Sequence, residues 1–166
     1  RSRGLGDVYK IQFLTLALYQ LPLPQDLWLL ATGTGLAPFL SMLQDFATWQ
    51  NYQQIHLVYS VRTVSELAYV DRIQEIAASF GEGHTGFKFV PVITRDPNAV
   101  LHERLPVLIE NGELEKAVGY SLNPESSHVM LCGNPQMVED TKEALKRRGL
   151  TMNRRGEGNI AVENYW

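Results

Sequence analysis

The sequence predicts an α/β fold: a three-layer αβα sandwich around a mainly parallel sheet of about five strands. Two kinds of observation point there. Short apolar runs without polar alternation, such as LWLLA at 27–31 and HVMLC at 128–132, read as strands buried on both faces. Between such runs lie stretches with helical spacing of apolar residues, and strands separated by helical crossovers imply parallel pairing.

Each element follows in order. Residues 1–26 carry no clear period and include Pro22 and Pro24, so they read as a linker or a truncated amino-terminal segment. The domain is expected over 27–166. LWLLA is the first strand, and TGTG turns it into a helix carrying Leu36, Leu40, Leu43 and Ala47. IHLVYS at 55–60 is the second strand. Thr63 and Glu66 have capping-box spacing, and the helix after them places Leu67, Val70, Ile73, Ala77 and Phe80 near one face. FKFVPVI at 87–93 is the third strand, followed by a short helix around 104–111 and a brief helical piece near Leu114. HVMLC is the fourth strand. Pro135 opens the next helix, with Met137, Val138, Thr141, Ala144 and Leu145 on one side. NIAVENYW supplies the last strand.

Composition sets the limits. The chain has 166 residues, 45% hydrophobic and 20% charged, with a formal net charge of -3. That length suits one core, and the charge lacks the basic footprint of a nucleic-acid binder. One cysteine, Cys132, builds neither a disulfide framework nor a multi-cysteine metal site, and it leans toward a reducing, cytoplasmic setting. No apolar run is long enough to span a bilayer, and the apolar stretch 11–23 is interrupted by Gln12, Thr15 and Gln20, against a signal peptide. His56, His84, His102 and His128 lack metal-ligand spacing, so no metal is expected, and His56 and His128 read as strand residues.

The chemistry concentrates at strand ends. In LLATGTGLAPF, Gly33 and Gly35 permit close approach of a pyrophosphate, and Thr32 and Thr34 add hydroxyls. Pro38 stands where a Rossmann fingerprint has its third glycine, and a plain structural turn is the alternative. Past the second strand, where an acid would favour NAD, the chain has Ser60 and Arg62. Arg95 and Arg104 follow the third strand. Together these arginines favour a 2′-phosphate, hence NADP(H), over a solvated surface role. In MLCGNPQMVED, Cys132, Gly133 and Asn134 form a second strand-end turn. Cys132 either faces the ligand crevice or is a small buried hydrophobe, and Met137 reads as core filler on its own. Terminal Tyr165 and Trp166 either finish the core or stack on a planar ring, and Glu163 beside them either relays protons or is solvated.

ATGTGLAPFLSML, YSVRTVSELAY, VITRD, MLCGNPQMVEDT and VENYW, in that order, resemble the nicotinamide-nucleotide half of the bacterial ferredoxin/flavodoxin–NADP reductases. The resemblance runs from about Leu27 to Trp166 and implies a Rossmann-like fold and a set of roles. Thr32, Gly33, Thr34, Gly35 and Pro38 would line the pyrophosphate and nicotinamide ribose. Arg62, Arg95 and Arg104 would receive the adenosine end and its 2′-phosphate. Cys132 and Gly133 would sit beside the nicotinamide, with Asn134 and Met137 continuing that wall. Glu163 would lie near the flavin, Tyr165 would cover its ring, and Trp166 would pack on the FAD adenine. The resemblance further implies hydride transfer between NADPH and FAD and a ferredoxin or flavodoxin partner, in a monomer. FAD is expected only with an amino-terminal flavin domain, for which residues 1–26 are too short. An NADP-binding sensor or structural module, and the reductase component of an oxygenase system, are the alternative readings.

Overall fold

A computed structural model describes residues 26–84 and 86–163. Its elements are β1 (Asp26–Thr32), α1 (Leu36–Leu43), α2 (Phe46–Asn51), β2 (Gln54–Val61), α3 (Val70–Phe80), β3 (Phe87–Ile93), α4 (Leu105–Glu110), α5 (Glu113–Val118), β4 (Ser127–Cys132), α6 (Pro135–Arg147) and β5 (Ile160–Glu163). The sheet has five strands in the order β3-β2-β1-β4-β5, and every pairing is parallel. This is the Rossmann-like arrangement expected from the continuous apolar runs.

Strand parity builds the two cores. Leu27, Leu29 and Ala31 of β1 pack with Phe39, Met42, Trp49, Ile73 and Ile76 from α1, α2 and α3. Trp28 and Leu30 point the other way, to Leu105, Leu108, Leu114 and Leu145 from α4, α5 and α6. With both faces covered, β1 and β4 contain no residue that needs to face water, which explains their unbroken hydrophobicity. The chain crosses to the second face between β3 and β4. The order therefore reverses at the β1–β4 pair, and a crevice opens beyond their carboxyl ends.

Two local expectations differ from the structure. The helix after TGTG breaks at Gln44 and Asp45. Asp45 accepts a hydrogen bond from the Ala47 backbone N–H at 2.9 Å and so starts α2. From α2, the Thr48 hydroxyl donates to the Met42 carbonyl and the Trp49 indole N–H donates to the Leu43 carbonyl, each at 2.9 Å. These bonds satisfy the open carbonyls at the end of α1. The second difference is the capping box. Thr63 precedes only a 3-10 turn, and its hydroxyl pairs with Ser65. The helix α3 starts at Val70, after Tyr69 in the left-handed region at φ 74°.

His56 and His128 are buried core residues, as their strand positions suggested. Among the described residues, no group of three or more His, Cys, Asp and Glu is placed to hold a metal ion. No helix among them is long and apolar enough to cross a membrane.

Candidate functional site

The β1 turn sets one wall of the crevice. Its two glycines have different surroundings. Gly33 is exposed at φ 50°, and a Cβ there would meet nothing within 4 Å. Gly35 is buried, and a Cβ there would overlap the Cys132 carbonyl. Gly33 therefore keeps backbone open toward a ligand, while Gly35 lets the β1 and β4 turns touch. The Tyr59 hydroxyl braces the turn by donating to the Gly33 carbonyl at 3.1 Å. Pro38 is buried in the first turn of α1, where its missing N–H costs no helical bond.

The β4 turn forms the adjoining wall. Asn134 caps α6, its side-chain oxygen accepting from the backbone N–H groups of Gln136 at 3.0 Å and Met137 at 3.1 Å. Its own backbone N–H donates to the Thr32 hydroxyl at 3.0 Å. Gly133 has φ 143°, and a Cβ there would overlap Thr32. Cys132 is buried and sits opposite Glu163 in the parallel register of β4 and β5. Burial, and secondarily the nearby Glu163 charge, push its thiol up to about 11. Burial also raises the Glu163 carboxyl above its usual range. A neutral buried thiol is an apolar wall rather than a nucleophile.

Arginines beyond β2 and β3 add positive charge to the cleft. Backbone bonds continue past the sheet, from Thr94 N–H to Val61 and from Arg95 N–H to Arg62, each at 2.9 Å. This pairing sets Arg62 and Arg95 side by side. Arg104 joins them from the residue before α4. Arg62 and Arg95 with Arg104 line one cleft of about 1070 Å³, together with Ser60, Thr32, Gly33, Thr34, Asn134 and Met137. Arg62 pairs with Glu66 at 3.1 Å, whereas Arg95 and Arg104 make no ion pair among the described residues.

Nine of the expected site residues thus meet in one cleft. Gly35, Pro38, Cys132, Gly133 and Glu163 do not line it and stand behind or beside it. Tyr165 and Trp166 lie outside the described residues. The cleft also contains Tyr59, Glu66, Tyr69, Thr94, Gln136 and Asp140, which sequence reasoning did not assign to a site. Gln136 donates to Asp140 at 2.9 Å across one turn of α6, an i,i+4 spacing that was visible in the sequence.

Residues 29–143 match the family model described as the oxidoreductase NAD-binding domain. The chain belongs to that family. It is 38% identical over 152 residues to a flavodoxin/ferredoxin–NADP reductase of Buchnera aphidicola, covering 90% of this chain and 58% of the relative. It is 41% identical over 152 residues to the Escherichia coli protein of the same name, covering 90% and 60%. A ferredoxin NADP+ reductase from Neisseria gonorrhoeae, solved with bound FAD and NADP, superposes with a TM-score of 0.79 at 38% identity, covering 91% of this chain and 60% of that one. The resemblance read from the motifs is thereby borne out, and so is the fold. This NAD-binding domain spans about three-fifths of the length of those relatives.

Proposed function

We propose that this domain binds NADP(H) as the nicotinamide half of an FAD-dependent ferredoxin/flavodoxin–NADP+ reductase. The observation that carries the cofactor choice is that Arg62, Arg95 and Arg104 line the same cleft as the open Gly33 turn. Two of those guanidinium groups have no carboxylate partner among the described residues, so they suit an anion brought by a ligand. Ser60 stands at the end of β2, where an acid would have selected a 2′-hydroxyl.

The residues fit the cofactor at both ends. Gly33 and Thr34 present backbone and a hydroxyl to the pyrophosphate, on the exposed side of the β1 turn. Asn134 and Met137 flank the nicotinamide side. Cys132 and Gly133 close that end from behind, where a neutral thiol excludes water without competing for the reaction. Once bound, nicotinamide and flavin supply a hydride exchange, for which placement of the two rings dominates. In that reductase Glu163, Tyr165 and Trp166 would face the flavin, and ferredoxin or flavodoxin would be the electron partner. The similarity to reductases of that name supports this assignment.

Calorimetric titration of the chain with NADP+ and NAD+ tests the cofactor choice. Tighter NADP+ binding, lost on Arg95→Ala or Arg104→Ala with NAD+ binding unaffected, is the expected result. Equal affinities for the two nucleotides overturn it. For the reductase activity, the chain joined to its flavin domain should show NADPH bleaching the flavin faster than NADH does. A flavin that NADPH does not reduce removes the proposal.

A further inference from the structure

We propose that Glu66 is a positioning residue that presets Arg62 for a 2′-phosphate and so sets how strongly the cleft discriminates between 2′-phosphorylated and plain adenosine nucleotides. The inference rests on the NADP(H) reading of the cleft. It starts from a double attachment. Glu66 Oε2 accepts from the Arg62 backbone N–H at 2.9 Å, while Oε1 pairs with Nη2 of the same arginine at 3.1 Å. One carboxylate thus holds both the main chain and the side-chain head of one residue.

Arg62 needs such a holder. It lies one residue beyond the end of β2, and its side chain is 64% exposed, so no packing fixes its rotamer. A long exposed side chain loses much conformational freedom when it clamps a ligand, and an existing partner removes part of that loss beforehand. A guanidinium carries five N–H donors, and pairing with one carboxylate oxygen at Nη2 leaves donors for a phosphate.

The opposite reading makes Glu66 a competitor that must be displaced. The geometry argues against it. The carboxylate is anchored by a backbone N–H inside its own turn, so it stays when a ligand arrives. That N–H, with the Arg62 charge, holds the Glu66 carboxyl below its usual range and keeps it ionised at neutral pH. Arg95, whose N–H bonds the Arg62 carbonyl, and Arg104 leave this end of the cleft positive despite the acid. Repulsion between Glu66 and a phosphate is also weakened by solvent at this exposed edge.

The test is calorimetric titration of the full chain with 2′,5′-ADP and with 5′-AMP, on the parent, Glu66→Ala, Glu66→Gln, Arg62→Ala and the Glu66→Ala/Arg62→Ala double variant. Thermal melting of each confirms folding. The parent should prefer 2′,5′-ADP. Glu66→Ala should weaken 2′,5′-ADP by about fivefold, the size of one coupled charged pair. Its binding of 5′-AMP should not change. Glu66→Gln should recover part of the loss, because its amide oxygen still accepts from the Arg62 N–H. In the Arg62→Ala background, Glu66→Ala should have no further effect. A parent without preference overturns the cofactor reading, and this inference with it. A preferring parent overturns this inference alone in three cases: Glu66→Ala tightens 2′,5′-ADP, weakens both ligands equally, or acts equally without Arg62.

Discussion

The Thr32 hydroxyl accepts a 3.0 Å hydrogen bond from the Asn134 backbone N–H, tying the turn after β1 to the turn after β4 across the reversal point of the sheet. The residues are far apart in sequence, yet their strands are neighbours, so the bond fixes the relative position of the two walls of the cleft. Thr32→Val keeps the shape and removes the acceptor. The variant should lose about 1 kcal/mol of stability, the usual net worth of such a bond. It should also bind nucleotide several-fold more weakly, because the walls are no longer tied. Urea unfolding and calorimetric titration measure the two effects. If affinity is unchanged, the tie does not organise the cleft.

The glycines of the β1 turn should separate stability from binding. At Gly35 an added methyl meets the Cys132 backbone, which cannot move without displacing the end of β4. Gly35→Ala should therefore cost more than about 2 kcal/mol, in the range of overpacking in a tight interior. At Gly33 the added methyl meets no protein atom, so only the φ of 50° opposes it, at about 1 kcal/mol. The methyl would instead occupy ligand space. Gly33→Ala should stay folded and lose most nucleotide affinity. Folded Gly33→Ala protein with parental affinity would show that no ligand approaches that backbone.

Which of these glycines faces inward was not legible in the sequence, because G-T-G spacing says nothing about the strand that lies behind it. The strands were legible because parallel pairing buries both faces and leaves long apolar runs. The gathering of Arg62, Arg95 and Arg104 was legible for a related reason. Parallel strands end at the same edge, so residues just past β2 and β3 must come together. Glu66 was misread because the Thr63–Glu66 spacing imitates a capping box. Half of that motif is present, at a 3-10 turn: Glu66 reaches back to the Arg62 N–H and also to the Thr63 backbone, while the Thr63 hydroxyl caps nothing. The left-handed Tyr69 was not foreseeable, since tyrosine carries no preference for that backbone region.

Cys132 should be inert in the native chain. Its thiol is buried and pushed up to about 11, so roughly one molecule in a thousand carries a thiolate at pH 8. Ellman's reagent at pH 8 should react slowly with the native chain and stoichiometrically within minutes once urea is added. Fast native labelling would mean that Cys132 is a reachable thiolate rather than a neutral group buried behind the cleft.

Stability should fall on mild acidification because two buried histidines resist protonation. The His56 ring packs against Trp28 at 4.7 Å and Tyr120 at 5.2 Å, and neither of its nitrogens has a hydrogen-bond partner. Burial, and then the Lys88 charge, push it down to about 4. His128 is also buried, with Nδ1 at 2.8 Å from the Tyr52 hydroxyl, and burial pushes it down to about 4. In the unfolded chain both return to about 6.5. As the pH drops below that value the unfolded chain takes up protons first, so stability is whole above about 6.5 and is lost as the pH falls toward 4. Between pH 7 and 5.5 each histidine should remove about 1 kcal/mol. Asp26 acts in the opposite sense. Burial raises its carboxyl, which favours the folded state at low pH and opposes it as the pH rises through the folded value. The comparison of His56→Phe with its parent isolates the histidine share, because phenylalanine keeps the aromatic packing and does not titrate. Urea unfolding at pH 7 and 5.5 should show the parent losing about 1 kcal/mol more than His56→Phe. Equal losses in the two proteins would mean that His56 is protonated as readily in the folded chain as in the unfolded one.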